Sequence, residues 1–302
     1  MEERNKQVFL IVDGNMYAHR AFYAVAPLNS PEGLPTNAVL GFIKTLQKLI
    51  EKLKPTHLLV VWDGGLSQER KDSLPEYKQN RPPTPKSLEI QIGLILEYLR
   101  LARIPFFYQK GIEADDWVAT VASKAAEQGV YVIIASADKD FLQLVSDNIG
   151  VINPADHSEK VWTALNVKEK TGVSPEQIVD WLSLIGDAVD NIQGVEGIGP
   201  KTATTLLNKF GSIDKVFENI NKVTPEKLKT KLIESEELIK RNRQLIKLYT
   251  NLPCELVLDD YKIKPQDKEN LNELFKKLGF KSMLKKDEPV KQEVLFNENN
   301  VY

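Results

Sequence analysis

Val8-Phe9-Leu10-Ile11-Val12-Asp13 is a continuously apolar run, rich in branched side chains, that ends on a carboxylate. A strand with one wet face alternates apolar and polar residues. A run without alternation is buried on both faces, as in a parallel sheet covered by helices. The pattern recurs: Leu58-Leu59-Val60-Val61-Trp62 leads into Asp63, and Val130 to Ala137 leads into Asp138 and Asp140. Periodic helical segments lie between these runs. Ala38 to Leu53 is closed by Lys54-Pro55, Leu88 to Leu101 follows Pro82-Pro83-Thr84-Pro85, and Asp115 to Gln128 is stopped by Gly129. Strand and helix alternate from Val8 to about Val161, which predicts an α/β fold with a mainly parallel sheet and helices on both faces. After Trp162 the strand-like runs give way to short helices.

Ligands of open α/β sheets sit beyond the carboxyl ends of the strands, so the acids that end these runs are expected on one rim. Gly111-Ile112-Glu113-Ala114-Asp115-Asp116-Trp117 adds three carboxylates at the first turn of a helix, after the apolar run Ile104 to Tyr108. Capping and the helix dipole account for one or two acids there. A third crowds charge that a hard divalent cation would relieve. One strand ending in Asp is an ordinary turn or cap; three, with the Glu113 cluster, are hard to assign to capping alone.

The 302 residues suit one large or two ordinary domains, and the net charge of -2 with a pI near 6.1 does not by itself suggest a nucleic-acid binder. Clustered site acids can, however, cancel basic surface elsewhere. The single Cys254 excludes an intramolecular disulfide and a zinc site built on several thiolates. No signal-peptide core follows Met1 to Gln7 and no apolar run is long enough to span a bilayer, so a cytoplasmic protein is expected. The histidines His19, His57 and His157 are not beside the acids in sequence, which leaves acid-base work to metals.

Gly64 to Pro85 carries Arg70, Lys71, Tyr77, Lys78 and Arg81 with few aliphatic residues, and is expected to project from the sheet. It reads either as a solvated excursion or as cations and a ring for a phosphodiester substrate. Asp187 and Asp190, three apart, are expected on one side of a helical turn. Gly194-Val195-Glu196-Gly197-Ile198-Gly199-Pro200-Lys201-Thr202-Ala203 predicts a tight turn entering a helix at Pro200, an N-terminus suited to phosphate. It lacks the spacing of a nucleotide phosphate loop. Tyr17, Phe22, Tyr23 and Trp117, beside apolar helix starts, are read as core. The basic residues from Lys222 to Lys247 alternate with Glu234, Glu236 and Glu237 and read as a solvated helical face.

Val12-Asp13-Gly14, Tyr77-Lys78-Gln79-Asn80-Arg81, Glu113-Ala114-Asp115-Asp116, Ala137-Asp138-Lys139-Asp140, and Gly186-Asp187 through Gly199 with Lys201-Thr202-Ala203 carry a resemblance. From Val8 to about Leu284 the chain resembles the 5′ nuclease, or flap endonuclease, family, most closely the 5′ to 3′ exonuclease domain of bacterial DNA polymerases I. The resemblance implies a PIN-like domain over 1–165 with a helical arch at about 64–86, then an all-α helix-three-turn-helix domain over 166–284 that grips duplex DNA, often with K+. It implies hydrolysis by two or more Mg2+ ions, replaceable by Mn2+, about 3.5 to 4 Å apart. Asp13, Asp63, Glu113, Asp115, Asp138 and Asp140 would hold the ions directly or through water, with Asp116, Asp187 and Asp190 completing the cluster. Lys78 and Arg81 would contact the scissile phosphate and Tyr77 would stack on a base. Arg20 and Arg70 would meet DNA phosphates, while Gly194, Gly197, Gly199, Lys201 and Thr202 would hold the duplex.

The implied substrates are DNA with 5′ flaps, nicks or single-strand/duplex junctions, and RNA-DNA hybrid. No polymerase segment follows, so a free-standing monomeric nuclease or a fragment is expected. Asp140, Asp187 and Asp190 are all retained, which favours an active enzyme over a junction-binding protein with weak or no catalysis. A PIN-type ribonuclease is less favoured, because the Gly194 to Ala203 turn suits duplex DNA. The tail Lys285 to Tyr302 is polar and expected to be disordered. Within it, Gln292-Glu293-Val294-Leu295-Phe296 resembles the Gln-x-x-Leu-Phe peptide that docks on sliding clamps, with Leu295 and Phe296 as anchors and Gln292 fixing register.

Overall fold

A computed structural model describes residues 7–154, 156 and 160–284; Gln292, Leu295 and Phe296 lie outside these. Strands β1 Val8–Asp13, β2 His57–Val61, β3 Phe106–Phe107, β4 Tyr131–Ala135, β5 Ile149–Ile152 and β6 Val161–Trp162 form one sheet in the order β3-β2-β1-β4-β5-β6. Every neighbouring pair is parallel except β5 with β6. Asp13 pairs with Val61 on one side, and Val12 pairs with Ala135 on the other. The chain therefore leaves β1, β2 and β4 at one edge, where the strand order reverses and a ligand crevice is expected.

The fully buried strands explain the lack of alternation in the sequence. Phe9, Ile11, Leu59, Val61, Val132 and Ile134 enter one core, while Leu10, Val12, Leu58, Val60, Ile133 and Ala135 enter the other. Helices α1 Gly14–Ala24, α2 Asn37–Leu53, α3 Gln68–Ser73, α4 Lys86–Leu101 and α5 Ala114–Glu127 alternate with the early strands. Residues of α1, α2 and α4 fill the second core, and residues of α5 the first. The first core runs on into α6 Ala164–Thr171, α7 Ile178–Ile185, α8 Pro200–Phe210, α9 Ile213–Glu218, α10 Glu226–Glu234 and α11 Glu236–Ile246. Helix α12 Lys268–Leu278 instead returns to the second core through Leu271, Leu274, Phe275 and Leu278, its Phe275 ring 6.3 Å from that of Tyr98 on α4. The helical half expected over 166–284 is thus divided between the two faces of the sheet, because the apolar stripe of α12 matches the outer side of α4. No described helix is long and apolar enough to cross a membrane.

Asp187 lies on a two-stranded ribbon, β7 Gly186–Asp187 and β8 Ile192–Gln193, and Asp190 in the turn that joins its strands, and not on the helical turn expected from their spacing. Gly186 ends α7 with φ +76, and a Cβ there would come within 2.4 Å of the Gly194 nitrogen. Only glycine allows the chain to turn so sharply at that point. The fully buried Asn242 of α11 then ties both legs together, its Nδ2 donating to the carbonyls of Ser183 (3.0 Å) and Gln193 (2.8 Å).

Candidate active site

The acids at the sheet edge serve both as caps and as walls of a crevice. Asp13 caps α1 by accepting the Met16 amide through Oδ1 (3.0 Å), and its Oδ2 accepts the Ser136 hydroxyl (3.0 Å). Asp138 caps the 3-10 turn Lys139–Leu144 by accepting the Asp140 amide (2.8 Å). Asp63 accepts the Gly65 amide, and its own amide donates to Asn15. Asp13, Asp63, Glu113, Asp115 and Asp138 line one cavity of about 660 Å3, with Lys78 and Arg81 in the same wall. Asp140, Asp187 and Asp190 converge beside it, each offering an oxygen within 4.8 Å of the others. Asp140 Oδ1 is buried with no hydrogen-bond partner among the described residues. An orphaned carboxylate oxygen in an all-oxygen donor set fits a hard divalent cation.

Burial sets the electrostatics. It pushes the Asp13 carboxyl up to about 6, opposed by its bonds to Met16 and Ser136 and assisted by Asp138 and Asp63. Asp115 and Asp140 are raised well above the usual carboxylate range, first by burial and also by neighbouring carboxylates. Glu113 goes the other way: burial alone would raise it, but Lys78 and Arg70 hold it low.

The basic segment departs most from expectation. Arg70 is only 2% exposed, forked onto Asp116 at 2.7 and 2.8 Å and bonded to Glu113 at 3.0 Å, and it also donates to the Lys247 carbonyl. It is therefore an internal counter-ion and not the phosphate contact read from the sequence. Asp116 accepts the Tyr249 amide as well (2.9 Å), so its oxygens support Arg70 and do not face the metal cavity. Tyr77, expected to stack on a base, is 3% exposed and donates its hydroxyl to Glu113 (3.3 Å). Lys78 is also buried, its Nζ bonded to Glu113 and lying 3.8 Å from Asp115 and 3.7 Å from Asp190. The acids account for this collapse. Unpaired buried carboxylates are costly, so the chain supplies its own cations and the segment folds down instead of projecting. Arg81 stays partly exposed and reaches Asp190 at 2.5 Å.

The structure separates the remaining residues. Arg20 is exposed on α1 and lines a second groove with Lys48 and Lys52, outside the acidic cavity. Gly194, Gly197 and Gly199 form the turn before α8, with Lys201 and Thr202 in its first helical turn. That turn is tied down by the Val195 amide on the Leu184 carbonyl (2.8 Å) and by Lys231 on the Glu196 carbonyl (2.8 Å). Sequence reasoning missed His19 and Tyr23, which both line the acidic cavity. Burial and Arg81 lower the His19 pKa, favouring the neutral ring. Tyr23, expected in the core, is 70% exposed, whereas Tyr17 and Trp117 are buried as expected. Helical phase was the available signal, since Asn15, Met16, His19 and Tyr23 recur along one side of α1.

Comparison with known proteins places this geometry. The 5′-3′ exonuclease N-terminal resolvase-like domain matches residues 8–172, and the 5′-3′ exonuclease C-terminal SAM fold matches residues 173–269. A 5′-3′ exonuclease of Aquifex aeolicus is 42% identical, with 91% of this chain and 93% of that protein covered. DNA polymerase I of Bacillus subtilis is 38% identical over 95% of this chain, which spans 32% of the polymerase. Among solved structures, the D15 flap endonuclease of bacteriophage T5, in a pseudo-enzyme-product complex with DNA and metal ions, is 26% identical with a TM-score of 0.66, covering 81% of this chain and 90% of that one. With both halves matched from residue 8 to residue 269, the chain belongs to the 5′-3′ exonuclease family.

Proposed function

We propose that the chain is a divalent-metal-dependent 5′ to 3′ exonuclease and flap endonuclease that hydrolyses phosphodiester bonds of DNA in replication and repair. The observation that carries this reading is the convergence of Asp140, Asp187 and Asp190 within 4.8 Å, with a partnerless Asp140 oxygen, beside a cavity walled by five further carboxylates. Asp13, Asp63, Asp115 and Asp138 would hold one ion, and Asp140, Asp187 and Asp190 a second. When bound, Mg2+ or Mn2+ supplies the Lewis acidity that makes a water nucleophilic at neutral pH and offsets charge on the phosphoryl group.

The chain's own residues do the positioning. Arg81, partly exposed and anchored on Asp190, would take a phosphate oxygen at the cavity. Lys78 lies deeper in the same wall, held on Glu113, and its ammonium would offset charge on the scissile phosphate. His19, held neutral, can stack or hydrogen-bond but is a poor proton donor. Residues 64–86 would serve as the arch of a PIN-like domain that admits a single strand. The Gly194–Thr202 turn and the grooves carrying Lys201 and Arg20 would hold duplex phosphates on either side of the cut. The test is cleavage of a 5′-labelled flap with Mg2+ titrated from zero. Cuts at the single-strand to duplex junction that require metal and vanish in Asp138→Ala are expected. Tight flap binding with no cleavage in Mg2+ or Mn2+ would leave a junction-binding protein.

A further inference from the structure

The segment 76–81 and the ribbon loop 188–191 are far apart in sequence and are joined by four hydrogen bonds. The Lys78 amide donates to the Asp190 carbonyl (3.0 Å), and Arg81 donates to the Asp190 carboxylate (2.5 Å). Asn191 makes the other two: its Nδ2 donates to the Glu76 carbonyl (2.8 Å) and its Oδ1 accepts from Asn80 (2.9 Å). Lys78 and Asn191 both have left-handed backbone, φ 55 and φ 58. Lysine rarely adopts that conformation, and its amide bond to Asp190 is what the turn gains from it. Asparagine tolerates it, which leaves the Asn191 side chain free to reach across.

We infer that Asn191, with Asn80, is a positioning residue that locks the cavity-lining cations Lys78 and Arg81 to the ribbon and loop carrying Asp187 and Asp190. Cations and carboxylates would then move as one unit, and strand binding at the basic segment would be felt directly at the second ion. Neither asparagine lines the acidic cavity, so each acts through its neighbours and not on the substrate. Asn191 is half-buried and Asn80 exposed, so neither is a core residue. The inference rests on the nuclease reading above and adds to it how the two halves of the site are registered.

Asn191→Gly removes the side chain while keeping the left-handed backbone, which makes it a cleaner variant than alanine. Small misplacements at a reacting centre cost roughly 10- to 100-fold in rate. Asn191→Gly and Asn80→Ala should each lower single-turnover kcat on the flap substrate by that order, and the double variant should lose no more than the worse single. Calorimetry without DNA should show weaker Mn2+ binding to Asn191→Gly, while flap affinity in Ca2+ stays at the wild-type value and Tm falls by no more than the few degrees that two partly exposed hydrogen bonds cost. Asn191→Asp, which keeps the acceptor for Asn80, should recover part of the rate. Wild-type kcat in Asn191→Gly, strictly additive losses in the double variant, or a loss seen only in Tm or flap affinity would overturn the latch. If the wild type itself leaves the flap uncut, the functional reading falls and the latch with it. If the wild type cuts and the variants match it, only the latch falls.

Discussion

A single carboxylate can be both a cap and a site residue, and Asp13 shows how. Its oxygens hold the Met16 amide and the Ser136 hydroxyl, which fixes the side chain before any ligand arrives. The capping and metal readings of the sequence were therefore not exclusive, and periodicity alone had no means of choosing between them. Tyr23 is the opposite case, a large ring with nothing packed over it, facing the cavity that holds the acids. Its edge contact with Phe22, 5.1 Å between centroids, steadies it without covering it. Stacking of a base on such a ring is worth about 1–3 kcal/mol. Tyr23→Ala should therefore raise KM for a flap substrate at least about five-fold with little change in kcat or Tm, as steady-state kinetics would show. Tyr23→Phe should behave as the wild type.

Arg70 joins three elements at the level of secondary structure: α3, which carries it; α5, through Glu113 and Asp116; and the segment after α11, through the Lys247 carbonyl. The Tyr249 ring lies over the guanidinium at 5.3 Å. Arg70, Glu113 and Asp116 are all removed from water, so deleting the cation leaves buried charge with nothing to balance it. Removing one partner of a buried ion pair costs about 3–5 kcal/mol, so Arg70→Met should destabilise by that order in urea unfolding. Arg70→Met with Asp116→Leu should recover much of the loss, because no buried acid is then left unpaired at that position. If Arg70 met DNA instead, the single variant would unfold as the wild type and lose only affinity. The sequence could not show this pairing. Arg70 sits among exposed polar residues in the chain, and what buries it, Tyr249, lies 179 positions further on. The acids were legible because strand ends place them locally, whereas their cations are assigned only by tertiary contacts.

For the whole molecule, the sheet was legible because β1, β2 and β4 are buried on both faces and therefore read as unbroken apolar runs. The short β5 to β8 and the return of α12 to α4 were not legible, since two- to four-residue strands carry no period and an amphipathic helix does not name its partner. The acidic rim this sheet creates has a cost for the metal-free fold, and its sign can be worked out. Asp13 is raised from 3.8 to about 6, and Asp115, Asp138 and Asp140 are raised as well, so the folded state binds their protons more tightly than the unfolded chain does. The Asp13 contribution is fully present below about pH 4 and is lost as pH rises through about 6, and the other three act in the same direction. Glu113, held low by Lys78 and Arg70, contributes in the opposite sense, and its share is lost only as the solution becomes acidic. In EDTA, the rim should therefore make the protein less stable at pH 7 than at pH 5.5, and Asp140→Asn should raise Tm at pH 7. A ligand at about 100 times its Kd stabilises by about 2.7 kcal/mol, so saturating Mn2+ should raise the wild-type Tm by several degrees at pH 7 and by less at pH 5.5. Asp140→Asn should show a smaller Mn2+ shift at either pH, because the substitution that relieves repulsion also removes a ligand. A Tm in EDTA that rises from pH 5.5 to pH 7, or a Mn2+ shift of equal size in Asp140→Asn, would mean that these carboxylates are balanced by the chain's own cations and do not require a metal.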